Sequence, residues 1–505
     1  MSARRRNLIV IATLLGTFLS AVDVTVVGTA MPTIIGALGG ISHYSWVFSA
    51  YLVTSTTTIP IYGKLADLYG RRPVYIAAAT LFLLGSALCG FSRSMEQLIA
   101  FRAIQGLGAG AIVPVTMTII GDLFTIEQRA KMQGVVSAVW GVASVAGPAI
   151  GGGIVQFYGW PWVFYVNLPL GVLSIGLLWF SLKETIAHGK KVAIDYIGAA
   201  TLTVAIVALL FALVEGGVSL PWASFEIVGM LVLGVVMLVA FIVHELRIKE
   251  PIVPLSLFAS SRIIWSSYAA NFLVGMAMMS VSSYVPLFAQ GVMGGSAMEA
   301  GATVAPMSIG WTIMGALSGY FILRVGFRPI AILGTFIILG GSLLLTSLHQ
   351  GSSQVLAIAD TFTIGLGLGL CMTSYLLAVQ NAVGWSERGV ATSGVQFFRM
   401  MGNAVGVAAL GTVLNTQMLI RLPDQAPSSG DPSSGLSQAN VLLDPIARAS
   451  LDPATLGTLR TALADSLNMV FWGVVVFAVL GVVATLLLPS GRIEEHAAGA
   501  RSPID

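Results

Sequence analysis

Charge is scarce in this chain. Of 505 residues, 9% are charged and 56% are hydrophobic, whereas a soluble domain carries about a quarter charged residues. That shortage excludes an ordinary soluble fold and points to a polytopic, all-α membrane protein. Cysteine is nearly missing. Cys89 and Cys371 both fall inside apolar runs, which argues against a disulfide framework or a thiolate metal site. The five histidines, at 43, 188, 244, 349 and 496, read as loop or tail residues. No nucleophile-plus-base pair, metal cluster or P-loop is found. An enzyme is therefore not expected, nor a cofactor, and any work must draw on a gradient. The net charge of +3 gives no reason to expect a nucleic acid partner.

What is there is apolar sequence in long runs. Leu8 to Met31 can cross a bilayer, which needs about 20 residues, and only Asp23 interrupts it with charge. The run is too long for a signal peptide and lacks a small-residue cleavage site, so it reads as an uncleaved first span. Fourteen spans are predicted, near 8–30, 44–62, 74–91, 98–120, 132–155, 161–181, 196–214, 225–243, 264–288, 300–323, 329–348, 354–380, 393–416 and 466–488. Each must be a helix, because lipid offers no partner to an open backbone. Most lysines and arginines, from Arg4-Arg5-Arg6 through Lys64, Arg71, Arg72, Arg129, Lys131 and Lys183 to Arg492, fall on one side. That bias makes both termini cytoplasmic. Trp46, Trp160, Trp162 and Trp222 sit near predicted outer ends, as an interfacial belt would.

A faint repeat divides the chain. GKLADLYGRRP at 63–73 is echoed by GYFILRVGFRP at 319–329, and the stretch 127–147 by 387–411. Duplicated six-helix halves around a central cavity are a transporter architecture. The expected plan is a six-helix bundle at 1–182, then a linker with inserted spans 7 and 8 at 183–263. A second bundle follows at 264–488 with an outer loop at 417–465, and a cytoplasmic tail at 489–505. Fourteen helices arranged as two six-helix bundles plus an inserted pair are thus expected.

Three motifs carry candidate chemistry. In the stretch Gly63 to Pro73, Asp67 and Arg71 are one turn apart and can pair. Gly63 and Gly70 permit a tight turn, and Asp122 at the inner end of span 4 is a third candidate. In span 4, Arg102 lies roughly 6 Å below the outer end, and Asp23 roughly 8–12 Å below the outer end of span 1, by helix rise. Charge at such depth is expensive and marks a functional site, so Asp23 and Arg102 are expected to pair. In span 5, Gly134, Gly141, Pro148 and Gly152 recur at seven, seven and four, which puts small residues on one face for close helix approach.

The stretch 63–73 resembles the signature between the second and third spans of the major facilitator superfamily. The whole chain resembles its fourteen-span drug:proton antiporters of the EmrB/QacA type. That resemblance implies a conformational latch of Gly63, Asp67, Gly70, Arg71, Arg72 and Asp122. The echo at 319–329 has Leu323 where Asp67 sits, which puts a second latch in doubt. The resemblance also implies proton coupling by Arg102, and a fifth-span antiporter motif in Gly141, Gly147, Pro148, Gly151 and Gly152. The first span resembles the family's pattern with Gly28 for Asn and Met31 for Leu.

Asp360 in span 12 could bind a second proton or contact a cationic drug, or could be hydrogen-bonded near the surface. Arg399 in span 13 could snorkel or pair. Phe48, Tyr51, Gln105, Trp140, Tyr284, Trp311, Tyr375 and Phe397 are candidates to line a cavity. Glu215 and Glu226 are expected to be solvated, and Asp195 to cap span 7. The function expected is proton-coupled export of amphipathic compounds, cationic or neutral, by a monomer in the cell membrane, with substrate, protons and the bilayer as partners. Export of a lipid or envelope component is an alternative, and a non-transporting membrane sensor another.

Overall fold

A computed structural model describes residues 2–38, 44–184, 195–216, 220–248, 251, 261–295, 297–422 and 452–489. Among them the structure is helical apart from turns and one isolated bridge between Gly216 and Leu220. The first part holds α1 (Ala3–Leu38), α2 (Tyr44–Tyr69), α3 (Arg71–Gly90), α4 (Met95–Leu123), α5 (Ile126–Tyr158), α6 (Trp162–Tyr165) and α7 (Asn167–Ser181). Next come α8 (Tyr196–Glu215) and α9 (Phe225–Glu245). The last part holds α10 (Arg262–Leu287), α11 (Ala297–Val325), α12 (Phe327–Leu345), α13 (Gln354–Ala382), α14 (Arg388–Arg421) and α15 (Pro453–Leu486). Among the described residues twelve helical stretches are long and apolar enough to cross a membrane. The helices α2 and α5, of 26 and 33 residues, are long enough but do not count among those twelve.

Sequence chemistry sets many of the ends. Ser94 and Ser224 accept from the backbone N–H three residues on, and Asp452 accepts from Ala454 and Thr455 with Pro453 opening the helix. Thr125 and Gln128 close a capping box before α5. Asp195 caps α8 through Gly198 N–H and also receives His244 at 2.8 Å.

The repeat is visible in packing. Gly70, at φ 93°, separates α2 from α3, and Gly326, at φ 89°, separates α11 from α12. In α4, a Cβ on Gly108 would press on Ala78 and Phe82 of α3; in α13, one on Gly367 would press on Gly334 and Ile338 of α12. Gly106 and Gly110 likewise meet α2, as Gly365 and Gly369 meet α11. Close helix approach through small residues thus recurs at matching places. Each bundle has an apolar core, shared by α1, α3, α4 and α7 in one and by α10, α12, α13, α14 and α15 in the other, and a further cluster joins α4 and α5 to α10, α13 and α14. The α8–α9 pair rests on Val53 of α2 and on Phe397, Met401 and Ala404 of α14.

Several expectations need correction. The stretch 63–73 is not an open loop: helix continues to Tyr69, and only Gly70 turns the chain. The outer loop 417–465 is shorter than expected, because α14 runs to Arg421 and α15 starts at Pro453. Residues 423–451 of that loop, 185–194 of the linker and 490–505 of the tail lie outside the described residues, as do His43, His188 and His496. The sixth span, by contrast, is found as expected at Trp162–Ser181, with only Val166 between α6 and α7. His244 lies in the last turn of α9, and Glu215 is buried where a solvated side chain was expected.

Candidate functional site

Two polar centres stand out in the first bundle. The first lies at membrane depth. Asp23 and Arg102 are each 1% exposed, and Arg102 Nη1 donates to Asp23 Oδ2 at 2.7 Å. Asp23 Oδ1 accepts from Gln105 Nε2 and from Asn167 Nδ2, both at 2.8 Å. Asn167 donates again to Ser86 Oγ at 3.0 Å. The guanidinium also donates to Gln105 Oε1 at 2.8 Å and stacks over the Tyr51 ring at 4.2 Å. Four helices, α1, α3, α4 and α7, thereby meet around one carboxylate. The pair is buried and hydrogen-bonded on all sides, which is what lets two charges persist away from water. Asn167 escaped the sequence reading. The signal was present: it is the lone amide in the apolar run VFYVNLPLGVL.

The second centre lies where α2 and α4 end and α3 and α14 begin, and joins the two bundles. Arg71 Nη2 donates to Asp67 Oδ1 at 2.9 Å, and Arg71 Nε faces Asp122 Oδ2 at 3.0 Å as an ion pair outside hydrogen-bond alignment. All three side chains are at most 3% exposed. Asp67 also accepts the backbone N–H of Gly389 at 2.9 Å and of Val390 at 2.8 Å. These are the first N–H groups of α14, so a carboxylate from one bundle caps a helix of the other, where the helix dipole favours negative charge. Arg388 Nη1 reaches Asp122 Oδ1 at 2.6 Å, and Arg71 lies 4.0 Å over the Trp385 ring while donating to its carbonyl at 3.0 Å. Gly63 is part of this contact: a Cβ there would sit 2.7 Å from Ser393 Cβ and 3.0 Å from Gly389 O. Arg72 stands aside, its side chain over Trp179 at 4.6 Å. Arg388, Trp385 and the α14 backbone were missed, because nothing in a linear sequence pairs residue 67 with residue 389. Glu184 closes the site from below by accepting from the N–H of Arg71 at 3.1 Å and of Arg72 at 3.0 Å. Burial raises its carboxyl above the ordinary value, and the two N–H groups act in the opposite sense.

The α5 glycines do not share one neighbour. Gly134 abuts Ala316 and Gly141 faces Thr312, both of α11, whereas Gly147 abuts Thr25 of α1 and Gly152 has nothing within 4 Å. The helix continues through Pro148, and Gly151 is buried. Of the expected face, Gly134 and Gly141 do share one neighbour, α11, whereas Gly152 approaches nothing; Gly147, off that face, meets α1.

The cavity candidates separate. Tyr375 is fully buried in the second bundle and bonds Thr485 at 2.6 Å, so it lines no cavity. Phe397 packs under α8 instead. Tyr284 donates to Val407 O at 2.8 Å, holding α10 to α14. Gln105 and Tyr51 belong to the Asp23 centre. Phe48 and Trp140 are half-buried against the outer core of the first bundle. Trp311 is half-buried with its indole Nε1 unpartnered. Asp360 is fully buried, and neither carboxylate oxygen has a donor among the described residues. The hydrogen bond that one expectation gave it is therefore not found among the described residues.

Comparison with known proteins gives the family. The description Major Facilitator Superfamily matches residues 13–407. The chain belongs to that superfamily. As a Major Facilitator Superfamily member it is a transporter and not an enzyme, built from the superfamily's fold of apolar helices. It is similar to Multidrug transporter protein MdtP of Bacillus subtilis (strain 168), 40% identical over 96% of this chain and 93% of that protein. It is also similar to Multidrug resistance protein 3 of the same organism, 36% identical over 97% and 96%. The solved structure of the human organic anion transporter MFSD10 superposes with a TM-score of 0.64, covering 97% of this chain and all of the other at 14% identity. That likeness speaks to the fold alone.

Proposed function

We propose that this facilitator is a fourteen-span, proton-coupled antiporter that exports small amphipathic compounds across the cell membrane, with both termini in the cytoplasm. The observation that carries the reading is the Asp23 centre. A carboxylate buried at membrane depth is rare and functional by default. Here it is tied to Arg102 and to amides on two further helices. A proton arriving on Asp23 removes the charge that holds Arg102 and the two amides, so protonation weakens the packing of α1 against α4 and α7. The multidrug names of the two bacterial relatives support small-molecule export.

The latch supplies the second part of the cycle. With Asp67 bound to the start of α14, the inner ends of the bundles are joined and the cytoplasmic route is shut. Rocking toward the inside has to break Asp67–Gly389, Asp67–Val390 and Asp122–Arg388. Loss of one partner from a buried pair costs about 3–5 kcal/mol. Substrate and proton binding must offset that cost, which makes the latch a threshold against uncoupled opening. Asp360 is a second buried carboxyl that can exchange a proton. One proton crossing 100 mV releases about 2.3 kcal/mol, which sustains a roughly 50-fold gradient of a neutral substrate.

Everted membrane vesicles test the reading. Energised vesicles should accumulate a fluorescent amphiphile, and a protonophore should abolish the accumulation. Asp23→Asn should retain substrate binding and lose uphill transport. Uphill transport by Asp23→Asn at the wild-type rate would remove Asp23 from proton coupling.

A further inference from the structure

The charge of the seam between the bundles has a consequence for what can bind there. α14 uses three of its faces for packing. Ala391, Val395, Gly402 and Gly406 meet α10, through Tyr268 O–H to Ala391 O at 2.8 Å, Asn271 to Val395 O at 2.6 Å, and the two glycine contacts. Gly389 and Ser393 meet α2. Phe397, Met401 and Ala404 lie under α8. A fourth face holds Thr392, Gln396 and Arg399, within about 60° of one another at 3.6 residues per turn; its outer end borders α10, where a Cβ on Gly275 would sit 2.7 Å from Arg399 O and against the Asn403 side chain. Its inner end points to the middle of the molecule: Thr392 accepts from Gln380 of α13 at 3.3 Å, and Gln380 also donates to Met117 O of α4 at 3.2 Å. Arg399 is two turns further out on this face, about 10 Å above that closed plug by helix rise.

Arg399 has no carboxylate within 4 Å among the described residues, and its side chain bonds only Gln396 Oε1, at 2.6 Å. It is half-buried. The acids that could neutralise it are engaged or turned away. Asp23 is taken by Arg102. Asp360 stands on the stripe of Ala357, Ile364, Leu368 and Tyr375, which packs inside the second bundle. An arginine stays charged at any working pH, and an unpaired cation at membrane depth is costly enough to mark a binding role.

Neutral donors accompany it. Thr373 is seven residues outward of Gln380 on α13, as Arg399 is of Thr392 on α14, so both lie at one depth. Around the Cβ position of Gly315, Ser137 Oγ of α5 lies at 3.6 Å, Thr373 Oγ1 at 3.8 Å and Trp311 Cδ1 of α11 at 3.9 Å. Ser137 Oγ, Thr373 Oγ1 and Trp311 Nε1 are buried with no hydrogen-bond partner. Arg399 and the indole N–H can only donate, and the two hydroxyls can. Resting on the export reading above, we propose that the seam between the bundles binds amphiphiles carrying a negative charge, with Arg399 as the cationic anchor and Ser137, Trp311 and Thr373 as hydrogen-bond donors at the same depth. The cationic substrates suggested by the sequence would meet an uncompensated like charge here.

Tetraphenylborate and tetraphenylphosphonium test this, being nearly the same size and shape with opposite charge. Equilibrium dialysis against the purified full chain in a neutral maltoside detergent, with empty micelles subtracted, needs no gradient. A failure here is therefore separable from a failure of proton coupling. The wild type should bind the borate at least tenfold more tightly than the phosphonium. Arg399→Gln should weaken borate binding about tenfold and leave phosphonium binding equal or tighter, while Arg399→Lys should keep the preference. Tighter binding of the phosphonium by the wild type would overturn the proposal, a result that needs no variant. So would an unchanged ratio in Arg399→Gln protein that elutes and melts like the wild type.

Discussion

The Asp23–Arg102 pair can be separated into its structural and functional parts by a double-mutant cycle. Asp23→Leu leaves the Arg102 guanidinium 1% exposed with Gln105 Oε1 at 2.8 Å and Val47 O at 3.4 Å as its remaining acceptors. Arg102→Met leaves the carboxylate with the two amides of Gln105 and Asn167. Breaking a buried pair from either side costs about 3–5 kcal/mol, whereas replacing both partners with apolar groups is neutral or stabilising by about 1–4 kcal/mol. Each single variant should therefore melt well below the wild type in detergent, and Asp23→Leu/Arg102→Met should return to or above the wild-type midpoint. In energised vesicles the double variant should not transport uphill, although it is stable. If the double variant is destabilised by the sum of the single effects, the two residues are not a coupled pair. If it transports uphill, the pair is structural only.

The latch is expected to respond to Arg388→Ala and Asp67→Asn by opening inward, raising maleimide labelling of a cysteine placed at Met117 several-fold. Unchanged labelling would mean that the latch does not hold the inner ends together. Gly70→Ala forces a side chain to φ 93° and ψ 157°, a region open essentially to glycine alone, which should destabilise the protein by about 1–3 kcal/mol and lower its melting midpoint, with a similar loss for Gly326→Ala at φ 89° and ψ 173°. Burial raises the Glu184 carboxyl above its unfolded value. Its contribution to stability is thus fully present below about pH 4.3 and declines as pH rises through the higher folded value. The melting advantage of wild type over Glu184→Gln should accordingly grow from pH 7 to pH 5, and a constant difference would contradict that sign.

Much of this architecture is legible in the linear sequence. Apolar runs of bilayer length admit only helices, the paired 63–73 and 319–329 stretches announce a repeat, and both of its turns are glycines at positive φ. A charge such as Asp23 in an apolar run marks itself, since the bilayer penalises it wherever the chain folds. Arg102 and Arg71 could be assigned partners because helix rise and the one-turn spacing give depth and direction without tertiary knowledge. The tertiary structure alone decided which face each residue presents. Asn167 and Ser86 join Asp23 from helices far away in the chain, and the start of α14 caps Asp67 across more than 300 residues. Tyr375 and Phe397 went to a bundle interior and to the α8 contact rather than to a cavity, because an aromatic in a membrane helix fits lipid, core or ligand equally well by composition. Arg399 was visible as a charge, but the lack of a carboxylate beside it among the described residues was not. A sequence states which charges enter the membrane; only the packing of the helices states which of them are neutralised there.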